Sequence, residues 1–285
     1  MDTSEFKKKL KIAVVGAGPA GSMTAYLMAL KGHEVTLFER KREIDRKVCG
    51  EYLCPEGVAL LSKLEILKKV TPHFQELHGM VLNSPSGLSI KSFFPDSKKS
   101  YKNGLSVNRK EFDKNLINLA ITSGVTFLKD FQVTKVELNS KNCWDLVAND
   151  EHFEFDFLVA ADGRQSKIGS LLSHISPVDT KRVAIHCFLP RKIDRGQRLG
   201  EMHILNNRRY CGLDPVSDDE VNFSIVCDSE KLKATNAIAI INDVIKDSKR
   251  LSEMFDMIDQ RTEIKIVTSL KNKNHFIAGS KLAYV

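Results

Sequence analysis

Hydrophobic and polar positions along this chain fall into blocks that switch between helical and strand periods. Residues 12–15 are a short apolar run between a charged segment and glycine, which predicts a buried strand. Residues 22–31 carry a helical pattern stopped by Gly32, and 34–39 predict a second strand. Leu60, Leu61, Leu64 and Leu67 recur at helical spacing and predict an amphipathic helix over 58–70 with its leucines in a core. Strands are expected over 78–82 and 88–94 around a Ser-Pro-Ser-Gly turn, with a polar loop after them at 95–103. A helix opens at Arg109 with Phe112, Leu116, Leu119 and Ala120 on one face, and a strand at 125–128 comes after Gly124. The runs 131–138, 143–148 and 152–155 predict a small antiparallel meander with Trp144 in its core, and 157–161 a buried strand leading to a helix that reaches Leu172.

Beyond Pro177 the pattern changes. Longer strands are expected at 182–189, 201–205, 209–213 and 220–227, helices at 235–246 and 251–258, a strand at 263–267, and the start of another at 281–285. Alternating strands and helices first, then runs of strands, predict an α/β protein. Its first part is a three-layer, Rossmann-like domain (parallel sheet plus β-meander) over 1–77, 105–176 and 268–285. Interleaved with it is an antiparallel-sheet domain over 78–104 and 177–267.

The chemistry centres on the first strand and the glycine turn at its end. Lys11-Ile-Ala-Val-Val-Gly16-Ala-Gly18-Pro19-Ala20-Gly21 places three glycines in a G-x-G-x-x-G spacing between a strand and a helix. Gly16 permits the tight turn, Gly18 lets backbone approach a pyrophosphate, and Gly21 lets the helix pack on the strand. The helix start then presents N–H groups and its positive dipole end to phosphate. Glu39, at the end of the second strand, is placed to accept both hydrogens of a ribose diol. This constellation predicts dinucleotide binding without separating NAD from FAD. Asp162-Gly163, at the end of a buried strand and before a helix, fits a plain turn and also a second ligand position of α/β type. A plain NAD-dependent dehydrogenase is a further reading of the same motif.

Composition narrows the field. The chain has 285 residues, net charge +7, 42% hydrophobic and 28% charged residues, so neither disorder nor a fibrous repeat is expected. Its basic residues form scattered clusters, such as 7–9, Arg40 to Arg42, Lys98-Lys99 and Arg208-Arg209, rather than a stripe interleaved with aromatics. No nucleic-acid partner is expected; the excess charge favours an anionic cofactor and leaves room for peripheral membrane contact. Residues 1–10 lack a cleavable apolar core and no run of 18 apolar residues occurs, so the expected location is cytoplasmic. The six cysteines show no C-x-x-C and read as reduced thiols, and the eight histidines show no H-E-x-x-H, so no metal site is expected.

Together these residues resemble the FAD-dependent monooxygenase superfamily of the para-hydroxybenzoate hydroxylase type. Gly16, Gly18, Gly21 and Glu39 match its ADP-binding motif, Asp162-Gly163 its DG motif, and Arg109 in R-x-x-x-D-x-x-L the arginine that reaches the pyrophosphate and ribityl region. Val133 falls where that superfamily holds adenine by backbone. Val48-Cys49-Gly50-Glu51 is similar to the geranylgeranyl reductase-like branch, which carries a Cys-Gly pair near the flavin. The stretch Tyr210-Cys-Gly212-Leu-Asp214-Pro215 matches that branch's Tyr-x-Trp-x-Phe-Pro, with Gly212 and Asp214 in place of large aromatics. Flavin halogenases are further relatives, but their Trp-x-Trp-x-Ile-Pro cannot occur in a chain whose one tryptophan is Trp144.

The resemblance implies an FAD oxidoreductase that uses NAD(P)H to reduce or hydroxylate a hydrophobic small molecule. It implies cofactor contacts from Gly16, Gly18, Pro19, Ala20, Gly21, Glu39, Arg40, Cys49, Gly50, Arg109, Val133, Asp162 and Gly163. Cys49 and Glu51 are the candidates near the isoalloxazine, and no residue stands out as acid or base. The superfamily's third FAD motif, a strand ending in Gly-Asp, would come directly after residues 281–285. The alternative expectation is therefore a truncated fragment that binds FAD or ADP without catalysis. Oligomeric state is not legible.

Overall fold

The computed structural model describes residues 8–95, 102–178, 181–190, 198–217, 219–268, 272–274, 278–279 and 281–285. Lys98, Lys99 and most of the expected 95–103 loop lie outside them. The chain forms two compact units, one of residues 1–45, 113–178 and 271–285, the other of 46–112 and 179–270.

The first unit is built on a parallel sheet whose strands lie in the order Leu282–Tyr284, Phe157–Ala160, Lys11–Val15, Glu34–Glu39, Thr126–Lys129. Ala13, Val14, Leu37 and Leu158 are fully buried, as a sheet covered on both faces requires. The helix Pro19–Leu30 starts three residues earlier than the apolar pattern suggests. Pro19 occupies its first turn, where the missing N–H costs nothing and the fixed φ already suits a helix. The expected meander is present as Val133–Leu138, Trp144–Ala148 and Glu151–Phe155, antiparallel throughout, with a register shift between Val147 and Ala148. Phe38 joins it to the parallel sheet, meeting Phe153 and Phe155 edge-on at 5.3 and 5.9 Å. Trp144 is buried and its indole N–H donates to the Lys281 carbonyl at 2.8 Å, which anchors the approach to the last strand.

The second unit carries a seven-stranded sheet in the order Lys265–Val267, Arg182–Pro190, Glu220–Asp228, Arg209–Pro215, Leu199–Leu205, Gly79–Asn83, Ser89–Phe93. It is antiparallel as expected except where Leu199–Leu205 runs parallel to Gly79–Asn83. Alternate residues, among them Ile185, Cys187, Leu213, Phe223 and Ile225, face the helices Ala237–Asp247 and Lys249–Met254, whose Ile240, Ile241, Val244 and Leu251 are fully buried. Each such side chain contributes roughly 1.5–3 kcal/mol by burial. A short helix not evident from the pattern, Ser229–Ala234, precedes them; it buries no residue, so it leaves no apolar stripe to read.

One expectation is corrected. The helix expected over 58–70 is two helices, Pro55–Lys63 and Leu67–Val70. Glu65 turns left-handed at φ 57°, its N–H donating to the Ser62 carbonyl and that of Ile66 to Leu61. This is a Schellman closure, with Leu61 and Ile66 as its buried apolar pair. Leu60 lies within the first of these helices, whose buried residues are Val58 and Leu61, and it is 56% exposed rather than core. The compact units also divide the chain differently from the expected domains. Residues 46–77 group with the second unit because Tyr52–Leu53 and Gln75–Leu77 both pair with Gly104–Ser106.

Candidate functional site

In the first unit the glycine turn is fixed by backbone and by one carboxylate. The Gly16 N–H donates to the Phe38 carbonyl at 2.8 Å, and Gly16 holds φ +105°, a conformation side chains resist. A Cβ there would lie 2.4 Å from the Ala161 carbonyl oxygen; at Gly21 it would lie 1.9 Å from that of Gly16. The glycines are thus demanded by close packing of turn, helix and neighbouring strand. Gly18 sits extended just before the helix, which no side chain caps and whose first turn carries no acidic residue. N–H groups with no side-chain cap and no acidic residue in their own turn suit a phosphate. Pro19 and Ala20 open that helix, and Arg40 lies exposed just past Glu39.

Glu39 is buried and already engaged. Its Oε2 accepts the Ala17 N–H at 3.1 Å and its Oε1 the Lys41 N–H at 3.0 Å. Each carboxylate oxygen has a second lone-pair direction, so the side chain can brace the turn and still accept ribose hydroxyls. Val133 begins the meander's outer strand with its side chain in the core, leaving only its backbone for a ligand.

Asp162 lies just past the strand Phe157–Ala160. Its Oδ2 accepts the Ile168 N–H at 3.0 Å, while Oδ1 is buried without a hydrogen-bond partner among the described residues. Native buried acceptors are nearly always paired, so this atom is waiting for a donor. Next to it Gly163 holds φ +79°, and a Cβ there would meet open space. Tyr284 lies within electrostatic reach: burial first, then the Asp162 charge, raises its phenol to about 12, and its hydroxyl pairs with His174 at 3.1 Å. An acceptor with a free oxygen at the carboxyl end of a parallel strand fits the hydroxyl-rich ribityl chain of FAD.

The remaining expected residues gather in the second unit. Glu51 is fully buried at φ 57°, its carboxylate gripped by Arg46 in a bidentate pair and by the Arg109 N–H at 3.2 Å. Both oxygens are engaged, so Glu51 holds the loop in shape. The Arg109 guanidinium donates to the Cys49 sulfur at 3.0 Å, and the Asn222 amide donates to the Cys49 carbonyl at 2.6 Å. A Cβ on Gly50 would stand 3.4 Å from Oδ2 of Asp214.

Three participants were not among the expected site residues, though Asp214 stands out in the sequence as a departure from an aromatic motif. Arg46 stacks over the Phe188 ring at 3.3 Å besides holding Glu51; an arginine five residues before a buried glutamate was the available signal. His186 is buried, and desolvation with the Arg46 and Lys265 charges lowers it to about 4, leaving a neutral imidazole. Asp214 is buried, and desolvation reinforced by the Glu51 charge raises it to about 7. Among the described residues no group of three or more His, Cys, Asp or Glu could hold a metal, no helix is long and apolar enough to cross a membrane, and all six cysteines are free.

A glycine turn braced by a buried acid, with a second acid at the end of the neighbouring parallel strand, defines the nucleotide-binding core of a flavoprotein. Residues 9–277 match the family described as FAD binding domain, and the chain belongs to that family. It is 32% identical over 163 residues to digeranylgeranylglycerophospholipid reductase 1 of Methanosphaera stadtmanae, covering 55% of this chain and 39% of that one. It is 30% identical over 210 residues to the corresponding reductase of Methanosarcina mazei, covering 70% and 49% respectively. The chain thus spans less than half the length of these relatives. The solved structure of CmlS, a flavin-dependent halogenase, superposes with a TM-score of 0.83 at 20% identity over 97% of this chain and 52% of that one, which shows the shared fold.

Proposed function

We propose that this chain binds FAD through the first unit and serves an oxidoreductase that draws electrons from NAD(P)H to reduce a hydrophobic small molecule. The observation that carries the reading is the buried, unpartnered Oδ1 of Asp162 beside a complete glycine turn, since a site for ADP alone has no use for it. When bound, FAD supplies two-electron chemistry, taking hydride from a nicotinamide and passing it on, or reacting with oxygen once reduced. The protein's part is positional. The helix start at Gly18 and Pro19 receives phosphate, Glu39 accepts the ribose hydroxyls, and Asp162 accepts a ribityl hydroxyl.

A hydrophobic substrate is supported by the second unit, where Leu82, Ile90, Met202, Ile204 and Tyr210 are all more than a third exposed. Reduction is favoured over hydroxylation by the name that the two archaeal relatives share. The test is direct. FAD should quench on titration into the purified chain, and NADH or NADPH should bleach the bound flavin without oxygen. A chain that leaves FAD fluorescence unchanged refutes the cofactor reading; one that binds FAD but is not reduced by either nicotinamide refutes the reductant. Substrate-dependent oxygen consumption would favour hydroxylation.

A further inference from the structure

The seven-stranded sheet has a second face, opposite its helices. One cross-strand row there runs His186, Ser224, Gly212, Met202, Leu82, Ile90. Its outer end is apolar and open to solvent: Met202 is 39%, Leu82 41% and Ile90 66% exposed, and Ile204 and Tyr210 in the next row 44% and 39%. In the middle of the row a Cβ on Gly212 would meet nothing within 4 Å. Beside Gly212 the adjoining row carries Asp214, next to Asn222.

Asp214 lies in a slot cut by two glycines. A Cβ on Gly200 would fall 2.7 Å from its Oδ1, and one on Gly50 3.4 Å from its Oδ2. The residue is 9% exposed and Oδ1 has no hydrogen-bond partner among the described residues. Arg46 is committed to Glu51, and the Asn222 amide to Cys49. The sheet face is therefore a hydrocarbon surface whose inner end is polar. Across the row, Nε2 of the neutral His186 is also unpartnered.

We propose that Asp214, in its carboxylic acid form, donates a hydrogen bond to the carbonyl oxygen of a neutral apolar ligand whose hydrocarbon lies along Met202, Leu82 and Ile90. This rests on the reading of the second unit as the hydrophobic substrate's surface. A carbonyl can only accept and a carboxylate can only accept, so the contact exists only while Asp214 carries its proton. Burial and the neighbouring Glu51 charge keep that proton in place up to a pH of about 7. The other groups around it are Arg46, paired with Glu51; Arg109; Tyr52, raised by burial to about 12; His186, lowered to about 4; and the Cys49 and Cys54 thiols. Tyr52 and His186 keep one protonation state through neutral pH, and every one of these groups is retained in an Asp214 variant.

The test uses a medium-chain methyl ketone and its isostere in which C=CH2 replaces C=O, measured by equilibrium dialysis between about pH 6 and about pH 9. Ketone affinity of the wild type should fall above the Asp214 pKa as the donor form disappears, and level off at the affinity of the isostere. Asp214→Asn, which donates but does not ionise, should bind the ketone equally at every pH; Asp214→Leu should treat ketone and isostere alike. Infrared spectra should show a protonated-carboxyl band at about pH 6 that Asp214→Asn lacks. A wild-type ketone affinity that is flat across this range, or an Asp214→Asn affinity that falls as the wild type's does, overturns the proposal while leaving the hydrophobic surface standing. If neither ketone nor isostere binds, the surface reading fails and Asp214's role fails with it. FAD titration of the same preparations reports the cofactor reading separately.

Discussion

Glu39→Ala removes a side chain that serves the protein before it serves any ligand, and the two services separate in measurement. Ala17 is fully buried, so losing Oε2 strands its N–H, at about 1–3 kcal/mol. The Lys41 N–H is nearer solvent, and water recovers most of that bond, so the total loss of stability without FAD should be about 2–3 kcal/mol. With a denaturant slope of about 2 kcal/mol/M, the urea midpoint of the first unit should drop by about 1 M. Trp144 is the chain's single tryptophan and lies in that unit's core, so its fluorescence reports this transition. FAD affinity should fall by a further 1–3 kcal/mol, roughly 5- to 150-fold, from the lost charge-assisted bonds to the ribose. Flavin fluorescence titration under native conditions measures it. Glu39→Gln should resemble the alanine variant in kind, because its amide sets a donor against one of the two N–H groups. An unchanged Trp144 midpoint without FAD refutes the bracing role; an unchanged FAD affinity refutes the ribose assignment.

Gly21→Ala puts a methyl group 1.9 Å from the Gly16 carbonyl oxygen, which only backbone movement relieves; thermal unfolding should show a loss of about 3 kcal/mol or more, and a loss under about 1 kcal/mol would mean the helix is not packed as described. Asp162→Asn keeps an acceptor for the Ile168 N–H while converting the unpartnered oxygen into a donor, so stability without FAD should change by less than about 1 kcal/mol while FAD affinity drops; equal FAD affinity would remove the ribityl role. His186 and Asp214 set opposed pH dependences. Folding lowers His186 from 6.5 to about 4, so its contribution is present above pH 6.5 and lost as pH falls towards 4. Folding raises Asp214 from 3.8 to about 7, so its contribution is present below pH 3.8 and lost as pH rises towards 7. The two offset each other over the shared range. Asp214→Asn should expose the histidine alone, with unfolding free energy rising by about 3 kcal/mol between pH 4 and 6.5; a flat curve in that variant refutes the burial of a neutral His186.

The glycine turn and its flanking elements were legible because their demands are local. Strand, glycine turn, helix and terminal acid occupy residues 11–39, and each is specified by a neighbour within that stretch. The order of strands around it was less so. Nothing near Lys11–Val15 says that Phe157–Ala160 and then Leu282–Tyr284 lie alongside, since those pairings are set by apolar faces far apart in sequence. The 58–70 helix misled because a left-handed residue leaves no mark when the residue is glutamate rather than glycine. Glu51 read as a chemical candidate from its place beside Cys49-Gly50. Its partner Arg46 shows it bound on both oxygens, a fact of loop geometry that composition does not carry. Asp214 was visible only as a departure from an aromatic motif, and its charge state is set by burial and then by the Glu51 charge, neither of which the motif carries.

The pairing of Phe157–Ala160 with Leu282–Tyr284 also sets a timetable for synthesis. The first four strands of the parallel sheet are complete once residue 160 has left the ribosome, but the fifth arrives about 120 residues later. At about 5–20 residues per second that is a wait of roughly 6–24 s. During it the Leu158, Val159 and Ala160 edge has no hydrogen-bonding partner on one side and invites pairing with another nascent chain. The helices that cover the seven-stranded sheet emerge inside the same interval. The antiparallel unit can therefore close before the nucleotide-binding sheet does, and a pause or a chaperone acting between residues 160 and 284 would govern the yield of the whole protein.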